Sequence, residues 1–136
     1  MGEQIFITLN WRLSGMTERE KMINGELYDS TDKELEQLRL NARKLSRKYN
    51  LTDEDCSEKQ MQILRELLSA TEELPYLQAP VYFDYGCNTF FGKFSYANFN
   101  FTCLDVCEIH IGDNVMIMDL KSLQMHYGDC LKLEEK

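Results

Sequence analysis

Hydrophobic and polar positions change their spacing once along the chain, close to Pro80. Before Pro80, apolar residues recur three or four positions apart, which is the spacing of one face of an α-helix. After it, the sequence VYFDYGCNTFFGKFSYANFNFTCLDVCEIHIGDNVMI is rich in aromatic and β-branched residues, with glycine and asparagine between short runs. This texture is typical of strands joined by turns. The pattern therefore predicts an α+β protein in which short helices precede strands.

Capping signals predict where the first two helices begin. Thr17 and Glu20 have the spacing of a capping box, so we expect a helix from about Thr17 to Tyr28. Thr31 and Glu34 repeat that spacing and predict a second helix. Its apolar stripe is expected to comprise Leu35, Leu38, Ala42, Leu45 and Tyr49.

A third helix is predicted to begin at Thr52 and to end before Pro75, because proline cannot continue the helical hydrogen bonds. Its inward residues are expected to be Ile63, Leu64, Leu67 and Leu68.

The strand region carries a six-residue rhythm. Steps of six from Phe91 reach Ala97, Cys103 and Ile109, all small or apolar, and glycine follows an apolar residue in both Phe91-Gly92 and Ile111-Gly112. Such a rhythm indicates the coils of a left-handed parallel β-helix. A meander of antiparallel strands fits the periodicity equally well, so the rhythm alone leaves both architectures open.

These patterns divide the chain into four segments. Residues 1–15 form an upstream extension to which no role is assigned, and 16–75 form the helical segment. Residues 76–118 form the first β-helix turns, and 119–136 form a divergent tail without the hexapeptide rhythm. A frameshift or a misassigned gene end is one hypothesis for that tail. The start of the chain lacks a secretory signal pattern, and a cytoplasmic location is therefore expected.

Composition and charge indicate which kinds of binding partner are disfavoured. The 136 residues carry a formal net charge of −8, which disfavours attraction to nucleic acid or to anionic membranes. Five basic residues cluster on the second helix. We interpret this cluster as a solvated helix face, with a local anion site as the alternative. Its members are Arg39, Arg43, Lys44, Arg47 and Lys48.

Five cysteines without a framework spacing suit reduced thiols in a cytosolic core better than disulfides. Cys103, Cys107 and His110 could be interpreted as metal ligands. The two-residue spacing common in zinc sites is absent, so we predict no metal.

Three blocks carry a resemblance to a known family. MTEREKMINGELYDS, RLNARKLSRKYN and the strand sequence containing YANFN, LDVC and IGDNVM occur in this order between Met16 and Ile117. Together they resemble the maltose and galactoside O-acetyltransferases, whose fold combines a helical segment with a left-handed β-helix. The resemblance implies transfer of acetyl from acetyl-coenzyme A to a sugar hydroxyl, at a pocket between subunits of a trimer.

The same resemblance implies where an acceptor sugar binds. Tyr96, Asn98 and Asp105 match positions at the acceptor site. Asp29 or Ser30 matches a further polar contact, and Arg39 matches an arginine that braces the segment. Tyr96 as core packing and Asn98 as a left-handed turn residue are the structural alternatives.

The implied catalytic base does not fall on a histidine. When the family pattern is carried forward from Ile111 without a gap, its histidine falls on Gly128, and His126 is a possible substitute two residues earlier. His110 is predicted to be a surface strand residue. We therefore expect this chain to be an incomplete and inactive family member. The alternative is a non-catalytic module that associates with itself or with a full-length relative.

Overall fold

A computed structural model describes residues 15–118, together with the backbone of two later strands at 123–124 and 131–133. The described helices are α1 (Glu18–Ile23), α2 (Lys33–Asn50) and α3 (Ser57–Leu67). The described strands are β1 (Tyr76–Leu77), β2 (Val81–Phe83), β3 (Thr89–Phe91), β4 (Tyr96–Ala97), β5 (Phe101–Leu104), β6 (Ile109–Ile111), β7 (Met116–Ile117), β8 (Leu123–Gln124) and β9 (Leu131–Leu133).

Helix α1 begins where the capping box predicted and ends earlier than expected. The Glu20 amide donates to the Thr17 hydroxyl over 3.1 Å, and the Thr17 amide donates to the Glu20 carboxylate over 2.7 Å. The helix stops at Ile23 rather than Tyr28. Gly25 follows with a φ of +72°, a left-handed conformation that glycine adopts readily and that ends helices.

Helix α2 confirms the predicted stripe but has a different cap. Its N-cap is Asp32, whose carboxylate accepts from the Glu34 and Leu35 amides. The predicted box between Thr31 and Glu34 is wrong, because the Thr31 hydroxyl is bonded to the Asp29 carboxylate instead. The apolar stripe is at least half-buried throughout, at Leu35, Leu38, Ala42, Leu45 and Tyr49.

Helix α3 begins later than predicted, at Ser57 rather than Thr52. Thr52 lies just beyond the end of α2, where its hydroxyl donates to the carbonyl of Lys48 over 2.6 Å. A hydroxyl that bonds back to the preceding turn is not available to start a new helix. The predicted inward residues are all buried, at Ile63, Leu64, Leu67 and Leu68.

The described strands pair in parallel, so the antiparallel meander is wrong. They form three sheets, which we number I (β1-β4-β7), II (β2-β5-β8) and III (β3-β6-β9). The chain visits the sheets in turn and then returns to the first, as in a coil. Position 76 pairs with 96, 81 with 101 and 89 with 109. The interval is the same in all three sheets, and it defines the length of one coil.

The residues reached by steps of six face the core, as predicted. Phe91, Ala97, Cys103 and Ile109 are all buried. Three hexapeptides fall slightly short of one full coil. For that reason Ile109 lies beside Thr89 rather than beside Phe91, whose own partner is Ile111.

Glycine permits the coils to stack closely beside sheet III. A Cβ added to Gly92 would lie 2.4 Å from the carbonyl carbon of Gly112, one coil further along the chain. The two apolar-glycine pairs noted in the sequence thus stack on each other. No larger residue fits at Gly92 unless the backbone moves.

The coil extends into the range that the sequence analysis assigned to a divergent tail. β8 continues sheet II, where Leu123 pairs with Cys103 at the same interval as in the first coil. β9 continues sheet III, where Leu131 pairs with Ile109 at a slightly longer interval. The domain boundaries themselves stay predictions.

The hydrophobic core joins the helices to the first coil. Leu45, Tyr49 and Leu64 belong to the same buried cluster as Val81 and Phe91. Two polar contacts fix this packing: the Tyr49 hydroxyl donates to the Leu77 carbonyl, and the Asn50 amide group exchanges two hydrogen bonds with the backbone of Val81. Within the described residues, no helix is both long enough and apolar enough to span a bilayer.

Candidate functional site

Hydrogen bonds connect three of the predicted site residues through a fourth residue, Tyr85. The Arg39 guanidinium donates to the Ser30 carbonyl and to the Tyr85 hydroxyl, each over 2.7 Å. It also lies 5.8 Å from the centre of the Tyr85 ring. The Tyr85 amide in turn donates to the Asp105 carboxylate over 2.8 Å. We call Ser30, Arg39, Tyr85 and Asp105 the Arg39–Asp105 network.

Asp105 is the buried centre of this network. One carboxylate oxygen accepts from the Tyr85 amide, and the other accepts from the Asn88 amide and from the Thr89 hydroxyl, the latter over 2.9 Å. Burial raises the pKa of Asp105 to about 6, although these hydrogen bonds oppose the rise by stabilising the carboxylate. The side chain thus holds the segment between β2 and β3 in place.

Asp29 lies at an exposed turn between α1 and α2. Its carboxylate accepts from both the hydroxyl and the amide of Thr31, at 2.7 and 2.9 Å, and these bonds lower the pKa of Asp29. The Asp29 amide donates to the Glu18 carboxylate. Asp29 therefore adjoins the Arg39–Asp105 network through Ser30 but keeps its side chain at the surface.

Tyr96 and Asn98 lie elsewhere, on and just after β4 of sheet I. The Tyr96 ring stacks on Tyr76 with 5.7 Å between centres, and its hydroxyl lies 3.4 Å from the Asn98 side-chain oxygen. Both side chains are partly exposed, and we call this pair with Tyr76 the Tyr96 face. The left-handed turn suggested for Asn98 occurs two residues later, because it is Asn100 that has a φ of +64°. Tyr96 is not a core residue.

The structure thus separates the predicted residues into two groups. Ser30, Arg39 and Asp105 meet in one network, whereas Tyr96 and Asn98 belong to a different sheet. Sequence reasoning missed Tyr85, which joins the first group. The available signal was the interval between Tyr85 and Asp105, which equals one coil and matches the pairing of β2 with β5.

The other candidates from the sequence do not assemble into a metal site. Cys103 contacts the Thr89 hydroxyl, Cys107 donates to the Met22 carbonyl, and His110 stacks on Phe90. In the described part of the chain, no group of three or more potential ligands lies together. His110 is half-buried on sheet III, where its ring contacts the Glu108 carboxylate at 2.9 Å.

Among residues 15–118, no disulfide joins the cysteines Cys56, Cys87, Cys103 and Cys107. Burial raises the pKa of Cys87 and of Cys103, which favours the protonated thiol. Cys130, His126 and Gly128 lie outside the described residues, so the prediction about the catalytic base stays untested.

Comparison with known proteins tests the predicted resemblance. Residues 21–72 match the maltose acetyltransferase hexapeptide capping motif. The galactoside O-acetyltransferase of Escherichia coli K12 is 35% identical over 102 residues, which cover 75% of this chain and 49% of that protein. A maltose O-acetyltransferase structure from Clostridium difficile 630 matches with a TM-score of 0.69 and 42% identity, over 76% of this chain and 55% of that one. The predicted resemblance to this acetyltransferase family is confirmed.

A second similar structure was solved with coenzyme A bound. A galactoside acetyltransferase in complex with coenzyme A matches with a TM-score of 0.65 and 33% identity, over 75% of this chain and 51% of that one. The chain spans about half the length of the relatives that it matches. The matched capping motif covers α2 and α3, the helices that pack on the first coil.

Proposed function

We propose that this chain serves the transfer of acetyl from acetyl-coenzyme A to a sugar hydroxyl, and that it contributes residues on the acceptor side. The observation that carries the proposal is the similarity, in sequence and in structure, to proteins named maltose and galactoside O-acetyltransferases. We also propose that the coil is a left-handed β-helix, that the active assembly is a trimer and that its location is cytoplasmic. These features follow from the family resemblance.

The acceptor side needs groups that read sugar hydroxyls. A hydroxyl and an amide side chain offer both donors and acceptors, and an aromatic ring can pack against a sugar. Tyr96 and Asn98 provide this chemistry at a partly exposed position. Their exposure supports direct contact with an acceptor.

Asp105, Arg39 and Ser30 suit a positioning role better than direct contact. Asp105 is buried, and three donors engage its carboxylate. Arg39 is engaged by the Ser30 carbonyl and by Tyr85. We propose that this network fixes the turn that bears Asp29, whose exposed carboxylate then reaches the acceptor.

We further propose that this chain transfers little acetyl by itself, because the resemblance places the general base on Gly128. A base must reach the hydroxyl that it deprotonates. His110 does not suit that task, since its ring is stacked on Phe90 of sheet III while the Tyr96 face belongs to sheet I.

Acceptor binding and acetyl transfer should be measured separately. Binding of maltose, glucose and a galactoside is followed by NMR with the 136-residue chain, and transfer from radiolabelled acetyl-coenzyme A is assayed beside the Escherichia coli relative. We expect Tyr96→Phe and Asn98→Ala to weaken sugar binding. Tyr82→Phe is the matched control, because it removes an exposed tyrosine hydroxyl from sheet II, outside the Tyr96 face, and keeps the ring.

Two results would refute parts of this proposal. Absence of binding to every sugar, with the relative active, would contradict the acceptor role. Transfer well above background by this chain would contradict the assignment of the base position to Gly128 alone.

An interaction module is the second candidate function, favoured by apolar side chains exposed around sheet I. Phe94 and Met116 are 82% and 66% exposed, and Tyr76 and Phe99 are exposed nearby. Sedimentation of the wild type and of Met116→Ser would test self-association. Leu27→Ser is the control, since Leu27 is equally apolar and exposed but lies far from this sheet in sequence.

A further inference from the structure

A cavity lies between the end of α2 and sheet II, apart from the site residues assigned above. Its volume is about 420 Å³, within the range of small-molecule sites. Arg43, Ser46 and Arg47 of α2 form one wall, and Tyr82 and Asp84 form part of the opposite wall. The Tyr96 face, on sheet I, takes no part in it.

One buried polar group in this cavity lacks a partner. Ser46 is only 4% exposed, and its hydroxyl has no hydrogen-bond partner within residues 15–118. Buried hydroxyls are nearly always hydrogen-bonded, because an unpaired one has lost its contacts with water. Since Ser46 lines the cavity, a bound ligand is a natural source of the missing partner.

Two arginines give the cavity a positive wall. Arg43 and Arg47 are four residues apart and thus project from the same side of α2. In the described part of the chain, neither guanidinium takes part in an ion pair or a side-chain hydrogen bond. Pairs of guanidinium groups favour oxyanions, which they bind through several parallel hydrogen bonds.

Asp84 places a carboxylate in the same cavity wall as the tyrosine Tyr82, opposite the two arginines. Burial raises its pKa, while the nearby Arg43 and Arg39 lower it. Its carboxylate reduces the attraction for an anion, yet two guanidinium groups outnumber it in the cavity wall. Asn50 adds little recognition, because its amide is already bonded to the backbone of Val81.

The rest of the lining is apolar. Phe83 and Leu104 come from sheet II, and Leu51 and Tyr82 present exposed side chains at the edge. Such walls favour a ligand with a ring or hydrocarbon body over a bare inorganic ion. The volume suits a small molecule of this kind rather than a macromolecule.

We propose that this cavity binds a small molecule that carries a phosphate or carboxylate group on an apolar ring. The oxyanion pairs with Arg43 and Arg47 and accepts a hydrogen bond from Ser46, while the ring packs against Phe83, Leu104 and Tyr82. This inference does not rest on the proposed acetyl transfer. It gives two of the basic residues on α2 a binding role in place of the solvated face predicted from the sequence.

The test is an NMR titration of the 136-residue chain with phenyl phosphate at about 0.15 M salt, where exposed charges are screened beyond roughly 8 Å. Benzoate, benzyl alcohol and inorganic phosphate are compared as probes. We expect saturable shifts at the amides of 43–51 and 82–84 with phenyl phosphate and benzoate. Benzyl alcohol and inorganic phosphate should bind more weakly, since each lacks half of the recognised chemistry.

Matched variants separate this site from general electrostatics. Arg43→Gln with Arg47→Gln should weaken binding about ten-fold or more, because charged hydrogen bonds are lost. Lys44→Gln with Lys48→Gln removes the same charge from α2 outside the cavity and should change the affinity less than about two-fold. Ser46→Ala should weaken binding about three-fold, and Asp84→Asn should strengthen it.

Three results would overturn the proposal. They are the absence of saturable shifts, an equal loss in the lysine and arginine pairs, and phenyl phosphate binding no tighter than benzyl alcohol. Circular dichroism of each variant establishes that it is folded. A change of oligomeric state in the arginine pair, without any binding of phenyl phosphate, would show that a second copy of the chain covers the cavity.

Discussion

The Arg39–Asp105 network and the Tyr96 face each contain residues that were predicted to serve the acceptor site, yet the two groups differ in burial and in hydrogen bonding. Asp105 is buried and engaged by three donors, whereas Tyr96 and Asn98 are partly exposed on sheet I. A buried, saturated group mainly fixes the fold, because each of its partners would be left unpaired without it. An exposed pair has spare hydrogen-bonding capacity for a ligand. The same family resemblance thus covers two physically different kinds of residue.

The sharpest test of this difference is Asp105→Ala. The change leaves the amides of Tyr85 and Asn88 and the Thr89 hydroxyl without their acceptor, so we expect a loss of about 3 kcal/mol or more in the free energy of unfolding. Urea denaturation measures it. A loss below about 1 kcal/mol, the size typical of an ordinary hydrogen bond, would show that Asp105 is not the centre of the network.

The second-largest expected effect is a pH dependence of stability that arises from the raised pKa of Asp105. Its pKa is about 6 in the folded chain against the ordinary 3.8, so the folded state binds the proton more tightly than the unfolded state. The resulting stabilisation is complete below 3.8 and is lost as the pH rises through about 6. The loss amounts to at most about 3 kcal/mol.

Asp105→Asn isolates this effect, because asparagine does not titrate. We expect the difference in unfolding free energy between the wild type and this variant to change between about pH 4 and about pH 6.5, two values that bracket the titration. A difference that stays constant over this interval would contradict a raised pKa at Asp105.

Arg39→Met should have a smaller effect. It removes the donors to the Ser30 carbonyl and the Tyr85 hydroxyl while keeping an unbranched side chain, and we expect a loss of about 2 kcal/mol. Lys44→Met, from the same helix, is the control and should cost less than about 0.5 kcal/mol as a surface change. Equal losses in thermal or chemical denaturation would count against a bracing role for Arg39.

The smallest effects on stability belong to the Tyr96 face. Tyr96→Phe keeps the ring that stacks on Tyr76, and Asn98→Ala alters a partly exposed side chain, so each should change the unfolding free energy by less than about 0.5 kcal/mol. A much larger loss would mean that this face is structural, like Asp105. Denaturation curves of both variants, taken beside sugar titrations, make the distinction.

Particular residues show which structural features could be predicted from the sequence. The Thr17–Glu20 box was readable because its hydrogen bonds join residues three positions apart. The box at Thr31 failed because the Thr31 hydroxyl donates to Asp29, and the Glu34 amide that it would have accepted from donates to Asp32 instead. Inward positions such as Ala97 and Cys103 could be predicted because the six-residue step that marks them is a short-range feature of the sequence.

The sequence was sufficient to predict the order of helices and strands, the apolar stripes and the resemblance to the acetyltransferase family. The folded structure was needed to show that Tyr85 meets Asp105, that Tyr96 lies on another sheet, and that Ser46 lines a cavity with two arginines. The difference lies in the sequence separation of the residues that interact. Caps and stripes depend on neighbours within a few positions, whereas these contacts depend on the length of a whole coil, which sets how distant parts of the chain stack.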